Sequence, residues 1–238
     1  MDGIFNINKP AGMSSFKCLS IVKRRLWEQL PADGRPKFKN WRVGFLGTLD
    51  PLASGVLVLL CGKATKLADK LHRENSKTYI AEFEFGYTTD TLDSEGQITG
   101  KTDKIPDKDS VIKALKGFIG KIDQIPPKYS AKSINGVRAY TLARKGEEFE
   151  LASKQVEVFR FEFLEQISAA KYRFLVECGA GTYIRSLARD LAQTLGTAAV
   201  MTSLVRTECG GFKLEDSVDI NKISKENFAD FVISYVED

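Results

Sequence analysis

The sequence predicts an α+β fold. Apolar and polar residues alternate from Thr78 to Gly86, which is typical of a half-buried strand because successive side chains of a strand point to opposite faces. A second set of apolar residues has the spacing of one helix face, after a turn at residues 179–182: Ile184, Leu187, Ala188, Leu191 and Leu195. Strands and helices follow one another without strict alternation along the chain, which favours α+β over a parallel α/β fold.

The first half of the chain contains further elements with clear boundary signals. Lys9-Pro10-Ala11-Gly12 is a turn signal, and Ser14 or Ser15 can cap the helix that comes after it. The apolar run at residues 56–61 lies between Gly55 and Gly62, which indicates a buried strand. In order, we predict a strand from Gly3 to Asn8, a helix from Ser15 to about Leu30, a polar loop from Pro31 to Lys39, a strand from Val56 to Cys61 and a helix from Ala64 to Glu74.

The second half is predicted from the same kinds of pattern. After the strand at Thr78 to Gly86, in which Tyr79, Ala81, Phe83 and Phe85 share a face, the polar composition indicates a loop. We predict that loop from Tyr87 to Pro106, a helix from Lys108 to Ile119, and strands from Gln155 to Leu164 and from Tyr172 to Cys178.

Length and composition exclude several functional classes. The 238 residues suffice for one large domain. The single histidine, His72, excludes a zinc site with two or more histidines, and any triad that uses histidine would depend on it. The four cysteines form no C-x-x-C pair, which argues against a zinc finger, a thioredoxin-like motif and a disulfide framework and fits a reducing cytosol. We find no signal peptide, and the longest apolar run, residues 56–61, is too short to span a membrane.

Positive charge is concentrated in two stretches, although the net charge is only +4. Residues 17–42 contain eight basic and two acidic residues together with both tryptophans, Trp27 and Trp41. Residues 128–145 contain five basic residues and no acidic one, whereas the tail after residue 206 is acidic. Basic stretches with interleaved aromatic residues suit a polyanion such as nucleic acid. A solvated helix face followed by a charged loop is the alternative interpretation.

One short segment has the residue types of a catalytic loop. Asp50 precedes a proline within Gly47-Thr48-Leu49-Asp50-Pro51, and glycines at positions 44, 47 and 55 allow another chain to approach closely. These residues alone favour an ordinary turn, in which Asp50 accepts hydrogen bonds from nearby amides.

Five ordered segments together resemble the TruB family of tRNA pseudouridine synthases, from about residue 3 to about residue 212. Besides Gly47-Thr48-Leu49-Asp50-Pro51, they are Asn8-Lys9-Pro10-Ala11-Gly12-Met13-Ser14-Ser15, Lys77-Thr78-Tyr79 with Thr89-Asp90-Thr91-x-Asp93-x-x-Gly96, Gln124-Ile125-Pro126-Pro127-x-x-Ser130-Ala131, and Gly181-Thr182-Tyr183-Ile184-Arg185. The resemblance implies a pseudouridine synthase fold, with a central mixed and mostly antiparallel sheet flanked by helices and RNA-binding insertions. It also implies conversion of uridine 55 in the T loop of tRNA to pseudouridine, without cofactor or metal.

The resemblance also implies a role for individual residues. Asp50 would be the nucleophile, Tyr79 would stack on the flipped base and assist deprotonation, and Arg185 would pair with Asp50. From the residues alone, Tyr79 could be a core aromatic and Arg185 a solvent-facing helix residue. Tyr183 and Leu204 would line the uracil pocket, and Lys9 and Lys66 match positions near the active site.

Further residues are expected to contact RNA. They are Lys23, Arg24, Arg42 and Phe45 in the first half, and Lys128, Lys132, Arg138 and Arg144 in the second. Phe45 stands where the family usually has a histidine. Residues 128–146 match the family's thumb-like loop, and residues 17–42 would be a basic helix and loop insertion. Within it, the segment from Trp27 to Trp41 would add RNA-contacting surface or be an exposed loop.

The expected organisation is a single catalytic domain over residues 1–238, without the C-terminal PUA domain of many bacterial members. We expect a cytoplasmic monomer that acts on the T arm of tRNA, with no membrane and no obligatory protein partner. Two alternatives stay open: an RNA-binding or RNA-folding protein without catalysis, and a pseudouridine synthase that acts on another RNA. Only catalysis requires Asp50, Tyr79 and Arg185 together.

Overall fold

A computed structural model of the chain describes residues 2–33, 35, 37–74, 76–134, 136–223 and 228–233, without the side chains of residues 29, 72–74, 228 and 229. The side chain of His72, two residues of the predicted 31–39 loop (34 and 36) and residues 224–227 and 234–238 of the acidic tail therefore lie outside the described residues. None of the described helices has the length and apolar character that crossing a membrane requires.

The described strands and helices are numbered in chain order. The strands are β1 (Gly3–Lys9), β2 (Val43–Phe45), β3 (Ser54–Cys61), β4 (Lys77–Phe85), β5 (Tyr87–Thr89), β6 (Ile98–Lys101), β7 (Gly120–Gln124), β8 (Ser133–Ile134), β9 (Val137–Arg138), β10 (Lys154–Gln166), β11 (Lys171–Cys178), β12 (Ala199–Cys209), β13 (Phe212–Lys213) and β14 (Val218–Asp219). The helices are α1 (Ser15–Gln29), α2 (Ala68–Glu74), α3 (Lys108–Leu115), α4 (Ala139–Arg144) and α5 (Ile184–Thr194).

The chain divides into two compact units, and it passes from one to the other within β4 and within β12. The terminal unit comprises Met1–Tyr79 and Val205–Asp238, and the central unit comprises Ile80–Leu204. In the terminal unit, β1 pairs antiparallel with β3 and parallel with β14. Strand β3 also pairs antiparallel with β2 and parallel with β12, so this part of the sheet is mixed.

Strand β3 is buried on both faces, which explains why its sequence is a continuous apolar run rather than an alternating one. Leu57 and Leu59 point into a cluster with Phe5, Ile7 and the buried face of α1. That face supplies Cys18, Leu19, Val22 and Leu26, and Leu30 follows immediately after the helix. Val56, Val58 and Leu60 point into the opposite cluster, with Ile4, Leu46, Ala64 and Cys209. Helix α1 is therefore part of the core of this unit as well as a carrier of basic residues.

The central unit is built on β4, β11, β10 and β7, with β10 antiparallel to both β11 and β7. Its core is aromatic: Phe83 lies 4.9 Å from Phe174 and 6.2 Å from Phe161, measured between ring centroids. Helix α5 buries one full face, including Ile184, Leu187, Ala188 and Leu191, as its apolar spacing predicts.

The α+β class and the mixed, mostly antiparallel sheet are confirmed, and the predicted elements are present with small shifts of their ends. Ser14 caps α1, because its hydroxyl accepts a hydrogen bond from the amide of Lys17 at 3.2 Å. The loop predicted from Tyr87 to Pro106 is wrong in part, since β5 and β6 form a short antiparallel pair within it. Strands of three or four residues, β6 mostly exposed, leave no alternation to detect. The long strand β12 and the short elements β7 and α4 were not predicted.

Candidate active site

Asp50 lies on a loop, here called the Asp50 loop (Leu46–Gly55), that leaves β2 and ends at the second residue of β3. Its apolar side chains at Leu46, Leu49 and Ala53 are buried, whereas Asp50 is half-buried and Thr48 is exposed. The amide of Ala53 donates to the carbonyl of Asp50 at 3.1 Å and tightens the turn. These three side chains anchor the loop, while the Asp50 side chain stays partly accessible.

The segment from Lys9 to Ser15 holds the outer part of this loop. The Ser15 hydroxyl both donates to the carbonyl and accepts from the amide of Leu49, each at 2.8 Å, and the amide of Gly12 donates to the carbonyl of Pro51 at 2.8 Å. The buried ammonium of Lys9 donates to the carbonyls of Pro10 and Met13 at 2.9 and 2.6 Å. Lys9 therefore has a structural role, because its ammonium holds the backbone of the turn that follows β1. Its contact with substrate stays a prediction.

The inner part of the loop is held by Arg206 of β12, which sequence reasoning missed. Its guanidinium donates to the carbonyl of Val56 at 2.7 Å, of Gly47 at 3.1 Å and of Leu46 at 3.3 Å. The arginine is completely buried, and a Cβ on Gly55 would overlap with its backbone. The sequence carried no clear signal, because Ser203, Thr207 and Glu208 are polar and do not mark the arginine as buried.

Arg185 of α5 lies in the central unit and is buried, so the solvent-facing interpretation is wrong. Its guanidinium donates to the carbonyl of Thr91 at 2.8 Å and to that of Tyr129 at 3.0 Å, and lies 3.7 Å from a carboxylate oxygen of Asp93. The other oxygen of Asp93 accepts from the Thr91 hydroxyl at 2.6 Å and the Glu95 amide at 3.1 Å. Asp93 thus connects Arg185 to the Thr89–Gly96 loop.

Two neighbouring features fix the surroundings of Arg185. The amide of Tyr183 donates to the side-chain oxygen of buried Gln124 at 2.8 Å, which sets the start of α5. The hydroxyl of Tyr129 donates to Asp90 at 3.2 Å, and burial together with the charge of Asp90 raises the pKa of Tyr129. A Cβ on Gly96 would overlap with the side-chain oxygens of Thr91 and Asp90, so a larger residue at this position would displace both side chains.

The predicted site residues fall into two groups. Asp50, Tyr79, Lys9 and Lys66 belong to the terminal unit, where Tyr79 is buried on β4 and Lys66 is exposed. Tyr183, Arg185 and Leu204 belong to the central unit, with Tyr183 half-buried and Leu204 buried on β12. The expected ion pair between Asp50 and Arg185 joins residues of different units and stays a prediction.

Comparison with known proteins identifies the family. The family model described as "TruB family pseudouridylate synthase (N terminal domain)" matches residues 35–184. Proteins named "tRNA pseudouridine synthase B" are 40% identical in Clostridium kluyveri, over 98% of this chain and 76% of that protein, and 46% identical in Dehalococcoides mccartyi, over 92% and 69%. This chain belongs to the TruB family of pseudouridylate synthases.

Solved structures agree with the TruB assignment. A chain of a Cbf5-Nop10-Gar1 complex matches with a TM-score of 0.69 and 28% sequence identity, over 95% of this chain. A chain of an H/ACA RNP bound to a substrate RNA containing 2'-deoxyuridine matches with a TM-score of 0.66 and 26% identity, also over 95% of this chain. The chain spans about half the length of these two, 54% and 53%, and about three quarters of the length of the Clostridium relative.

The first set of residues expected to contact RNA in this TruB chain, Lys23, Arg24, Arg42 and Phe45, lies on or near α1. Two of its basic side chains interact with neighbouring residues of the protein. Arg24 pairs with Glu28 at 3.0 Å, and the Lys23 ammonium lies 4.8 Å from the ring centroid of Phe38. Trp27 packs edge-on against Phe38, at 5.6 Å. Phe45 is half-buried and packs edge-on against the exposed Phe16, at 5.8 Å, and Arg42 is exposed. Their contact with RNA stays a prediction.

The segment from Trp27 to Trp41 is folded onto the terminal unit. Trp41 is buried in the core cluster that contains Leu57, Leu59 and the buried face of α1, and Trp27 packs against that cluster. The guanidinium of Arg35 lies 4.8 Å from the Trp27 ring centroid and donates to the Leu30 carbonyl. The described part of this segment is therefore not simply an exposed loop, because aromatic and backbone contacts hold it in place.

The second set of residues expected to contact RNA lies within residues 128–146 and is exposed. Lys128, Lys132, Arg138 and Arg144 all reach solvent. Arg138 donates to the Ala131 carbonyl at 2.6 Å, which closes the β8–β9 turn, and the Arg144 guanidinium lies 5.6 Å from the Tyr140 ring centroid. The exposed cations of this segment fit a phosphate backbone, although their contact with RNA stays a prediction.

Cysteine chemistry has no support at this site. All four cysteines are free and buried, and burial raises the pKa of Cys18 to about 11 and that of Cys61 to about 12. These two thiols therefore stay protonated and unreactive at neutral pH. No group of three His, Cys, Asp or Glu side chains within the described part of the chain is placed to hold a metal ion.

Replacing Asp93 with asparagine is expected to lower the free energy of unfolding by about 1 to 3 kcal/mol, because the buried Arg185 loses its carboxylate neighbour. Urea unfolding followed by circular dichroism measures this change. The matched control is Glu95→Gln, which removes an equal charge from an exposed position of the same loop. Equal losses in both variants would show that the Asp93–Arg185 contact contributes nothing specific.

Proposed function

We propose that this chain converts uridine to pseudouridine in tRNA, at uridine 55 of the T loop, with Asp50 as the nucleophile. The observation that carries this proposal is the Asp50 loop: a half-buried carboxylate is held on a backbone that Ser15, Gly12 and Arg206 fix from both sides. Preorganised carboxylates of this kind suit attack at, or stabilisation of, a sugar anomeric carbon. The curated relatives named tRNA pseudouridine synthase B supply the substrate class.

The reaction can be written with this chain's residues alone. The Asp50 carboxylate attacks C1′ of the target uridine, or stabilises positive charge there, while the bond from C1′ to N1 breaks. The detached uracil turns and C5 bonds to C1′, while any bond between Asp50 and C1′ breaks and frees the carboxylate. The proton then leaves C5 to water with assistance from Tyr79, and N1 takes up a proton, so the product is an isomer of the substrate. Arg185 would keep Asp50 ionised and aimed. Because product and substrate are isomers, the step requires no oxidant, reductant or group donor.

RNA recognition must accompany the chemistry, because the target base lies within a folded loop and has to flip out of its stack. Tyr183 and Leu204 would then line the uracil pocket, and Lys66 would contact substrate from the terminal unit. The two basic groups would hold the T arm through its phosphates. We further propose that the chain acts as a cytoplasmic monomer without an obligatory protein partner, cofactor or metal ion.

The direct test uses a T-arm stem-loop transcript labelled with tritium at C5 of its uridines. Pseudouridine formation releases the C5 hydrogen to water, so we expect one equivalent of tritium per transcript at position 55. A transcript with cytidine at that position is the control and is expected to release none. Binding of the transcript without any release would support the alternative, a non-catalytic RNA-binding or RNA-folding protein.

The choice of RNA requires a separate experiment. Pseudouridine mapped across total RNA, with and without the protein, is expected to show one dominant protein-dependent position, in the T loop of tRNAs. A dominant position in another RNA would keep the enzyme class and replace the substrate, which is the second alternative.

A further inference from the structure

Arg206 is a completely buried arginine whose side-chain hydrogen bonds within the described part of the chain all go to backbone carbonyls. Its three acceptors lie at the two ends of the Asp50 loop: Leu46 and Gly47 where the loop begins, and Val56 immediately after it ends. No ion pair is found for Arg206 among the described residues. A buried guanidinium without a carboxylate is costly unless its donors are satisfied, so these carbonyls and the arginine depend on one another.

The backbone of Arg206 holds the same loop from a second direction. Strand β12 pairs in parallel with β3, with Val205 opposite Ser54 and Arg206 opposite Gly55. Gly55 has a φ of 102° and its Cα faces the Arg206 backbone so closely that no side chain fits. One residue therefore fixes the end of the loop by its backbone and both ends by its side chain.

The planar fork of arginine suits this task. A guanidinium presents donors in several fixed directions, which lets it join carbonyls from separate parts of the chain, whereas a lysine ammonium is a compact point charge. With its two ends held by one rigid group, the Asp50 loop loses most of its freedom to hinge. The Asp50 carboxylate then keeps one position relative to β3 before RNA arrives.

We propose that Arg206 is a positioning residue for the reaction: it clamps the two ends of the Asp50 loop and so fixes the nucleophilic carboxylate. The inference rests on the proposed function, since it assigns Arg206 to the same reaction. This role does not require Arg206 to contact the substrate. A small displacement of a reacting group can lower the rate about tenfold to a hundredfold.

The experiment compares Arg206→Met and Arg206→Lys with wild type in single-turnover conversion of the T-arm transcript, alongside the dissociation constant for that RNA. We expect the rate to fall about tenfold to a hundredfold for methionine and less for lysine, with an RNA affinity within about twofold of wild type. The control is Leu26→Ala, which removes buried volume from α1 in a cluster that contains no residue from Leu46 to Val56. Urea midpoints for all variants report how far each is destabilised.

A second measurement does not depend on activity. Hydrogen exchange of the amides from Leu46 to Gly55 is expected to speed up in Arg206→Met and to stay near wild type in Leu26→Ala. Suppose that wild type releases no tritium, while amide exchange in the Asp50 loop still increases in Arg206→Met. Arg206 then holds the loop as proposed, and the proposed function is wrong.

The proposal is overturned if Leu26→Ala, at a similar urea midpoint, loses as much activity as Arg206→Met. It is also overturned if loop exchange is unchanged in both arginine variants, or if the loss of activity is matched by an equal loss of RNA affinity. Should Arg206→Met fail to fold, Arg206→Lys decides by the same criteria.

Discussion

Asp50→Asn is expected to lower the rate of pseudouridine formation at least about a thousandfold, because a neutral amide is no nucleophile and cannot stabilise positive charge at C1′. The change is isosteric. The bonds that hold the loop at Ser15, Gly12 and Arg206 go to the backbone of neighbouring residues, so the loop should keep its shape. Single-turnover tritium release from the T-arm transcript measures the rate, and filter binding measures RNA affinity.

The matched control for this variant is Asp103→Asn, which removes one carboxylate from an exposed position of the central unit. It is expected to convert the transcript at the wild-type rate. Retained RNA binding by Asp50→Asn, together with lost conversion, separates chemistry from recognition. Conversion by Asp50→Asn at the wild-type rate would show that the reaction does not use this carboxylate, and the enzyme assignment would then lose its central residue.

The position of Asp50 could be predicted because its signals are local. A carboxylate before proline, with glycines nearby, already indicated a turn, and the strand after it was evident from its apolar run. The alternation from Thr78 to Gly86 likewise predicted that Tyr79 would be buried, as it is. What such patterns could not distinguish was a catalytic aspartate from an ordinary turn; the ordered motifs of the family made that distinction.

The supporting residues could not be predicted, because their partners are distant in sequence. Arg206 bonds to a carbonyl 150 residues away, and Arg185 to one 94 residues away. Helical spacing placed Arg185 on the polar face of α5, yet carbonyls from two remote loops and Asp93 satisfy its donors and allow it to be buried. Periodicity describes one element at a time, whereas burial of a charge depends on what other elements bring to it.

The same distinction explains the errors in the fold. Strand β3 and helix α5 are long enough to show their period, and both were predicted. The pair β5–β6 consists of three and four residues, too few for a pattern. Strand β12 is long, but its burial does not alternate regularly along its length, so neither an apolar run nor strict alternation marks it.

Gly55→Ala is expected to lower the free energy of unfolding by about 3 kcal/mol or more, the largest stability effect we predict. Two costs combine. An alanine at a φ of 102° is strained, and its Cβ would overlap with the carbonyl of Arg206 and approach the Arg206 amide to 2.8 Å. Because that contact is with backbone, relief requires β3 and β12 to separate where Arg206 pairs with Gly55. Urea unfolding followed by circular dichroism measures the loss.

Gly44→Ala is the matched control for this prediction, since Gly44 lies in β2 of the same unit and a Cβ there would meet no atom within 4 Å. Alanine restricts the unfolded chain more than glycine does, so this control should keep or raise stability, by at most about 1 kcal/mol. The opposite signs of the two substitutions separate a local steric conflict from a general preference for glycine. An unchanged urea midpoint in Gly55→Ala would mean that β3 and β12 part without cost, and the anchoring of the Asp50 loop by the Arg206 backbone would then have no energetic basis.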